Sequence, residues 1–145
     1  MAIEVQNMKT VLAIAPQSLG SATAAEIEVD ARGWDNARFL VLVGAAAASA
    51  NISVAKIQSA ATTGGAQTDI TGAALTAGTI DGDSDNTIHA IEVDLTDKSI
   101  GGFLSMVLTS DTANVIEIAV VCVLSRGASS PASATERGLT TEVFA

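Results

Sequence analysis

Short apolar runs recur along the whole sequence, and clusters of Gly, Asn, Asp, Ser and Thr separate them at intervals of roughly 8–15 residues. Several runs alternate: Ile91 and Val93 face one way while Glu92 and Asp94 face the other, as a half-buried antiparallel strand requires. This spacing predicts an all-β chain folded as an antiparallel β-sandwich, with an eight-stranded jelly roll as the expected topology. The predicted strands are Val11–Ala15, Ala24–Val29, Arg38–Val43, Ile52–Gln58, Asp69–Leu75, Ile88–Leu95, Phe103–Thr109 and Val115–Leu124.

Three local features refine this prediction. The segment Gly44–Ala50 holds five alanines without an apolar stripe, which favours a loop of small residues, with a helical turn as the alternative. The alternation slips by one residue between Val54 and Ile57, which predicts a β-bulge near Ala55–Lys56. In the second strand, the pattern predicts that Ile27 faces the core.

The last predicted strand is apolar on both of its faces. Its inner face carries Ile116, Ile118, Val120, Cys122 and Leu124, and its second face carries Val115, Glu117, Ala119, Val121 and Val123. A single sandwich would expose that second face to water, so we expect something to cover it. Either loops of the same chain or another subunit could do so. The interface prediction is a protein that is not a monomer, with contacts at Val115, Ala119, Val121 and Val123.

The composition changes near the C-terminus. Residues 126–145 are dominated by Ser, Ala, Thr and Gly and show no periodicity, which is typical of an extended arm. We therefore predict a β-sandwich domain over residues 1–125 and a C-terminal arm over residues 126–145. The arm closes with the apolar residues Val143 and Phe144, which favour docking on a neighbour, while a disordered tail is the alternative.

Charge and hydropathy exclude several partners. Seven cationic residues against sixteen anionic ones give a formal charge of −9, which is unsuited to a nucleic-acid partner. The longest apolar run, Phe39–Ala48, has ten residues, whereas a membrane span needs about twenty. The apolar stretch Val11–Ala15 is too short for the core of a signal peptide, and we interpret it as a strand. The sequence predicts neither a nucleic-acid nor a membrane partner.

Few side chains could carry catalysis. The chain has one histidine and one cysteine, too few for a zinc site or a disulfide framework. His89 has no second imidazole as a partner, and Cys122 lies in the most apolar strand, where burial makes a thiol unreactive. We therefore predict no catalytic residue, no cofactor and no enzymatic activity.

One acidic segment has the spacing of a calcium loop. Asp81, Asp83, Asp85 and Glu92 stand at positions 1, 3, 5 and 12 of such a loop. Position 6 is Asn86, where a glycine is usual, although asparagine tolerates the left-handed region better than most residues. The flanking residues have strand patterns, so Glu92 is expected on a strand and not at the start of a helix. The alternative is a solvated acidic turn, and we predict no metal site, with these four residues as the candidate calcium ligands.

Four short motifs carry a resemblance to a known family. They are Gly33–Gly44 (GWDNARFLVLVG), Ile52–Ser59 (ISVAKIQS), Thr68–Ala74 (TDITGAA) and Asp83–Thr87 (DSDNT). Together they resemble the small head-decoration, or cement, proteins of tailed bacteriophages and prophages, over roughly residues 25–125. The chain departs from that family where Ala60–Gly65 replaces an acidic Asp-Gly loop, and where tyrosines of the later strands are absent.

The resemblance implies a function without an active site. It implies a jelly-roll sandwich that assembles as a homotrimer on the exterior of an icosahedral head, after synthesis in the cytoplasm of the bacterial host. Its implied partner is the major capsid protein, whose neighbouring subunits such proteins bridge. Another virion component (a tail, neck or fibre-base protein) is the first alternative. A carbohydrate-binding sandwich module is the second, although Trp34 is the single aromatic residue besides phenylalanine that could stack on a sugar.

Overall fold

A computed structural model describes residues 7–127 of the chain, and these residues form an all-β structure. Eight strands make two antiparallel sheets of four strands each, which confirms the predicted β-sandwich. Residues 7–127 include no helix with the length and hydropathy needed to cross a membrane. The strands are β1 (Met8–Leu19), β2 (Val29–Asp30), β3 (Trp34–Ala46), β4 (Ile52–Ala60), β5 (Thr68–Leu75), β6 (Ile88–Asp94), β7 (Phe103–Ser110) and β8 (Ile116–Gly127).

The strand order reveals how the chain is wound. One sheet has the order β1-β8-β3-β6 and the other has the order β2-β7-β4-β5. Strand β1 therefore pairs with β8, β2 with β7, β3 with β6 and β4 with β5. One long hairpin rolled into two sheets would produce this nested pairing. The nesting favours the predicted jelly roll over a sandwich of consecutive hairpins.

Inward-facing side chains of both sheets form one apolar core. Phe39 of β3 is fully buried, and its register neighbours are Cys122 of β8 and Ile91 of β6. The opposite sheet contributes buried side chains of β7 at alternate positions, including Leu104 and Leu108. Removal of these side chains from water is the main stabilising contribution to such a fold. The predicted inner face of the last strand is confirmed as buried: Ile116, Ile118, Val120, Cys122 and Leu124.

The second predicted strand, Ala24–Val29, is largely wrong. Strand β2 is limited to Val29–Asp30, and the residues before it make only isolated bridges. One bridge joins Thr23 to β7 and another joins Glu26 to β1, because this segment crosses from one sheet to the other. The crossing interrupts the alternation, and Ile27, predicted to be in the core, is 42% exposed.

The remaining local predictions concern residues 44–50, the irregularity of β4 and the C-terminal boundary of the domain. Residues 44–50 are not helical: β3 continues to Ala46 and a tight turn follows, in which Ala50 N donates to the Ala47 carbonyl over 2.9 Å. Strand β4 is irregular, but the bulge predicted near Ala55–Lys56 is displaced. Against β7 the register shifts between Ile52 and Val54 and is continuous through Ala55 and Lys56, and against β5 it shifts between Lys56 and Gln58. At the C-terminal end, β8 continues past the predicted domain boundary to Gly127, which pairs with Trp34. The rest of the predicted arm lies outside the described residues.

Candidate functional site

The outer face of the β2-β7-β4-β5 sheet is polar, and we call it the polar face. Arg32 donates two hydrogen bonds to the Asp30 carboxylate, of 2.7 and 2.9 Å. Lys56 Nζ lies 2.9 Å from Asp69 Oδ2, and Gln58 donates to the other oxygen of the same carboxylate over 2.6 Å. The bond from Arg32 lowers the pKa of Asp30, and the bonds from Lys56 and Gln58 lower the pKa of Asp69. This face satisfies its own polar groups and is suited to water.

The outer face of the β1-β8-β3-β6 sheet is apolar, and we call it the apolar face. Its two central rows follow from the register of the four strands: Leu12, Val121, Leu40 and Ala90 form one row, and Ala119, Leu42 and Ile88 form the next. Leu12, Leu42 and Ile88 are 42%, 37% and 66% exposed. Exposed aliphatic side chains that adjoin one another in this way mark a docking surface more often than scattered ones do.

A depression of about 440 Å³ lies at one end of the apolar face. Leu42, Gly44 and Ala119 line it, together with Pro16 of β1 and Glu117 of β8. The depression exists because Gly44 and Ala119 have little or no side chain, and because the β1–β8 register shifts between Ile14 and Gln17, where proline cannot donate a ladder hydrogen bond. The face therefore combines a protruding side chain, Ile88, with a concave region.

A row with charged groups borders the apolar rows. It contains Thr10, Val123, Arg38 and Glu92 as register neighbours across the four strands. Arg38 and Glu92 stand next to each other with opposite charge, and Asn36 Nδ2 donates to Glu92 Oε1 over 3.0 Å. This border is therefore polar, with one cation beside one anion, whereas on the opposite side of the apolar rows the exposed Glu117 adds a negative charge at the depression.

The predicted interface residues fall on the apolar face in part. Ala119, Val121 and Val123 lie on it and are half-buried within a single copy, while Val115 precedes β8 and is 44% exposed. Val143 and Phe144 lie outside the described residues. Sequence reasoning missed Leu12, Leu40, Leu42 and Ile88, which come from three other strands. Only the sheet order brings them beside β8.

The structure does not bring the candidate calcium ligands together. Asp81 Oδ1 accepts hydrogen bonds from Asp83 N and Ser84 Oγ, of 3.0 and 3.1 Å, and Asp85 Oδ1 accepts one from Ala46 N over 2.6 Å. Glu92 lies on β6, on the apolar face. The left-handed conformation expected at Asn86 is present, with φ of 56°. Within residues 7–127, no three carboxylate, imidazole or thiolate groups lie close enough to hold a metal ion.

His89 and Cys122 occupy structural positions. His89 Nε2 lies 3.0 Å from the hydroxyl oxygen of Thr87, two residues before it on the chain. Cys122 is fully buried, and desolvation raises the pKa of its thiol to about 12. A thiol with such a pKa is almost entirely protonated at neutral pH and is a poor nucleophile.

A second concave region lies between β5 and the loop that follows β6. It is a cleft of about 590 Å³ lined by both polar and apolar residues, among them Asp69, Thr71, Asp97 and Ser99. Its carboxylates already have partners: Asp69 binds Lys56, and Asp97 Oδ1 accepts a hydrogen bond from Ser99 N over 2.9 Å. That bond lowers the pKa of Asp97. The hydrogen bonds that lower these pKa values make each carboxylate a weaker base than a free carboxylate.

Comparison with known proteins gives little further information. No known protein family matches the sequence, and no curated protein matches it. One similar solved structure is that of the CBM22-1 and GH10 modules of an N-terminal endo-1,4-β-D-xylanase from Clostridium thermocellum, complexed with xylohexaose. The identity is 8% and the TM-score 0.46, over 90% of this chain and 28% of that one. Similarity at this level carries no argument about function.

Proposed function

We propose that the protein is a non-enzymatic structural component of a bacteriophage virion that decorates and stabilises the icosahedral capsid. In this proposal it is a homotrimer on the outside of the shell and bridges neighbouring copies of the major capsid protein. The four sequence motifs that resemble head-decoration proteins support the proposal. The sandwich fold agrees with it, and so does the structural use of His89 and Cys122.

The observation that carries the proposal is the apolar face. Its two apolar rows, about 7 Å apart on four strands about 4.8 Å apart, span a projected area of about 270 Å². Contiguous apolar patches of a few hundred Å² on a soluble protein are often functional. An attached structural protein needs such a surface, because an apolar centre with a polar rim is the usual composition of a stable protein interface.

Binding of this kind would stabilise the shell by mass action. A protein that binds adjacent capsid subunits, and not the separated subunits, lowers the free energy of the assembled state by RT ln(1 + c/Kd) at each site, where c is its free concentration. The formal charge of −9 suits the exterior, since an acidic protein inside the shell would be repelled by packaged DNA. The polar face, whose charged groups already have partners, would then remain in water.

The two alternatives differ in their support. A tail, neck or fibre-base protein could use the same fold and the same apolar face, so only the position in the particle separates it from the proposal. A sugar-binding module needs exposed aromatic rings. Among residues 7–127, Phe39 is buried, Phe103 lies under the Arg32 guanidinium at 4.7 Å, and Trp34 is half-buried. This favours the virion proposal over the sugar-binding one.

The test is reconstitution on capsids that lack the protein. Purified protein is mixed with expanded shells, and bound protein is measured by co-sedimentation, followed by heating to find the temperature at which the shells rupture. We expect saturable binding and a higher rupture temperature. Leu42→Glu should bind more weakly, while Ala74→Glu, an exposed residue on the polar side, should bind normally. Absence of binding by the unmodified protein would overturn the proposal.

A further inference from the structure

The free edge of β6 differs from the other sheet edges of the protein. Among residues 7–127, the strands β1, β2, β5 and β6 each pair with another strand on one side only. Three of these edges are irregular or short: β1 has register shifts, β2 is limited to Val29–Asp30, and β5 bulges where residues 69–74 lie opposite residues 56–58. Strand β6 runs in unbroken register with β3 from Ile88 to Asp94. A regular edge of this length is a template for an added strand.

The hydrogen bonds between β3 and β6 show which backbone groups this edge presents. Val43 N donates to the Thr87 carbonyl over 2.9 Å, and Leu95 N donates to the carbonyl of residue 35 over the same distance. Consecutive residues of a strand direct their N–H and carbonyl groups to opposite edges, so the odd-numbered residues of β6 pair with β3. The even-numbered residues direct theirs to the free edge: Ile88, Ala90, Glu92 and Asp94.

A groove with an apolar floor lies beside this edge, between β5 and β6. The cleft of about 590 Å³ adjoins a smaller one of about 370 Å³, and Ile70 and Ile100 line both. These two isoleucines are half-buried and pack against the core. In a strand added to β6, alternate side chains point inward over the isoleucines, and the others point outward beside Glu92 and Asp94. The groove therefore suits a strand with one apolar side.

Within residues 7–127, the carboxylates at one end of this edge have no ion-pair partner. Glu92 and Asp94 are exposed on β6, and Asp97 follows in the next loop. The residue two positions further along the chain donates hydrogen bonds to each of the two aspartates and lowers its pKa, so both are anionic at neutral pH. Arg38 lies on the side of Glu92 away from the free edge, and Arg126 attracts Asp94 without pairing with it.

Charge discriminates between the strands that could be added. The lining of the two clefts is acidic overall, with Asp69, Glu92, Asp94 and Asp97 against Lys98. The β6 edge of a second copy would bring the same carboxylates and would be repelled, which is a usual protection of an edge against self-pairing. A segment with cations on its outward side would instead form opposite-charge cross-strand pairs.

We propose that the free edge of β6 binds an extended cationic segment of a partner protein as an added strand. The segment bonds to the backbone of the even-numbered edge residues, places apolar side chains over Ile70 and Ile100, and places cations beside Glu92 and Asp94. This deepens the proposed function, and the choice of partner rests on it: the segment belongs to the major capsid protein. Because Ile88 lies both on this edge and on the apolar face, one partner can cover both surfaces.

The first experiment measures peptide binding to the full chain without capsids. The probe is a fluorescein-labelled peptide of four lysine–valine repeats, which is about as long as β6, and its binding is followed by fluorescence anisotropy. We expect saturable binding that weakens as salt is added. The same peptide with glutamate in place of lysine should not bind.

Substitutions of the protein locate the binding site. Asp94→Asn combined with Asp97→Asn should weaken binding at least about 3-fold, because opposite-charge contacts are lost while the amide oxygens can still accept the loop hydrogen bonds. The matched control is Asp83→Asn combined with Asp111→Asn, which removes the same charge from exposed loops at the other end of the sandwich and should bind normally. Circular dichroism of both variants should match that of the unmodified protein.

A second readout separates strand addition from attraction between charges alone. Two versions of the peptide are N-methylated, one at every lysine and the other at every valine. Since consecutive residues of a strand direct their N–H groups to opposite sides, one version loses the donors that face β6 and the other keeps them. We expect one version to lose at least about 10-fold in affinity, because several hydrogen bonds are lost together, and the other to bind like the parent peptide.

Each outcome decides the proposal. Equal effects of the two double substitutions, or of the two N-methylated peptides, would overturn it. Peptide binding that appears only after truncation at Gly127 would also overturn it, because the chain's own remaining residues would then cover the edge. If the peptide binds as expected but the unmodified protein never binds shells, the proposed function fails and the docking edge stands. If shells bind the protein and its Asp94→Asn, Asp97→Asn variant with equal affinity, the proposed function stands and the capsid protein does not supply the segment.

Discussion

The single cysteine offers a sharp test of the packed core. Cys122 is fully buried in the centre of β8, and burial raises the pKa of its thiol from 9.0 to about 12. In the unfolded chain the thiol ionises with its ordinary pKa, so above pH 9 the unfolded state loses protons that the folded state retains. Stability is therefore unaffected by this group below pH 9 and decreases as the pH rises through the window from 9 to about 12.

The size of the effect follows from the two pKa values. The loss of unfolding free energy is between about 1 and 2 kcal/mol at pH 10 and about 3 kcal/mol at pH 11, towards a limit of about 4 kcal/mol. Such a loss is a large part of the stability of an ordinary domain. Few other side chains titrate in this alkaline window, because the chain has no tyrosine and only three lysines.

The assay compares the unmodified protein with Cys122→Ala. Urea unfolding at pH 8, 9, 10 and 11, followed by the fluorescence of the single tryptophan, gives the free energy of unfolding at each pH. Cys122→Ala should be about 1 kcal/mol less stable at pH 8, because it removes a buried atom, but should lose less stability above pH 9. The two proteins should therefore converge and then cross as the pH rises. Parallel curves between pH 8 and 11 would refute the reasoning and mean that the thiol is not desolvated.

Three further predictions concern the loops and the C-terminal segment. Glu28→Gln should lower the free energy of unfolding by about 1 kcal/mol, because the Glu28 carboxylate accepts hydrogen bonds from Thr63 Oγ1 and Gly64 N. Glu26→Gln should not lower it, because desolvation and the nearby Glu28 already raise the pKa of Glu26. Equal melting temperatures of the two variants would contradict this prediction. Addition of EDTA and then of calcium should leave the melting temperature unchanged, because the carboxylates of Asp81 and Asp85 accept hydrogen bonds from backbone N–H groups of the chain. A shift of several degrees would show that the loop binds the ion. Truncation after Gly127 should preserve the β-type circular dichroism but weaken the oligomer or its attachment to capsids, because the remaining residues are dominated by Ser, Ala, Thr and Gly and show no apolar periodicity. A truncated chain that fails to fold would show that these residues belong to the core.

Local alternation was sufficient to predict most strands. The inward positions of β6 and β8 could be read from single residues such as Ile91 and Leu124, because side chains of a strand alternate with a period of two. Alternation failed at Ile27, where the chain leaves one sheet for the other and neither face of the segment is defined by a ladder. No local signal marks such a crossing.

The apolar face was only partly predictable for a related reason. Both faces of β8 are apolar in the sequence, so Ala119, Val121 and Val123 could be identified from that strand alone. Leu12, Leu42 and Ile88 belong to three other strands, and they adjoin β8 only because β1 and β3 flank it and β6 flanks β3. Strand order is set by the global winding of the chain, which the spacing of apolar residues does not specify.

The most direct measurement is electron cryo-microscopy of the phage particles to which the proposal assigns this chain, at a resolution that separates the two sheets. The proposal predicts density for the sandwich on the outside of the icosahedral shell, between neighbouring capsid subunits. The apolar face should be covered by protein and the polar face should be open to solvent. Density confined to the tail or neck, or an exterior sandwich whose apolar face is open to solvent, would contradict the proposal.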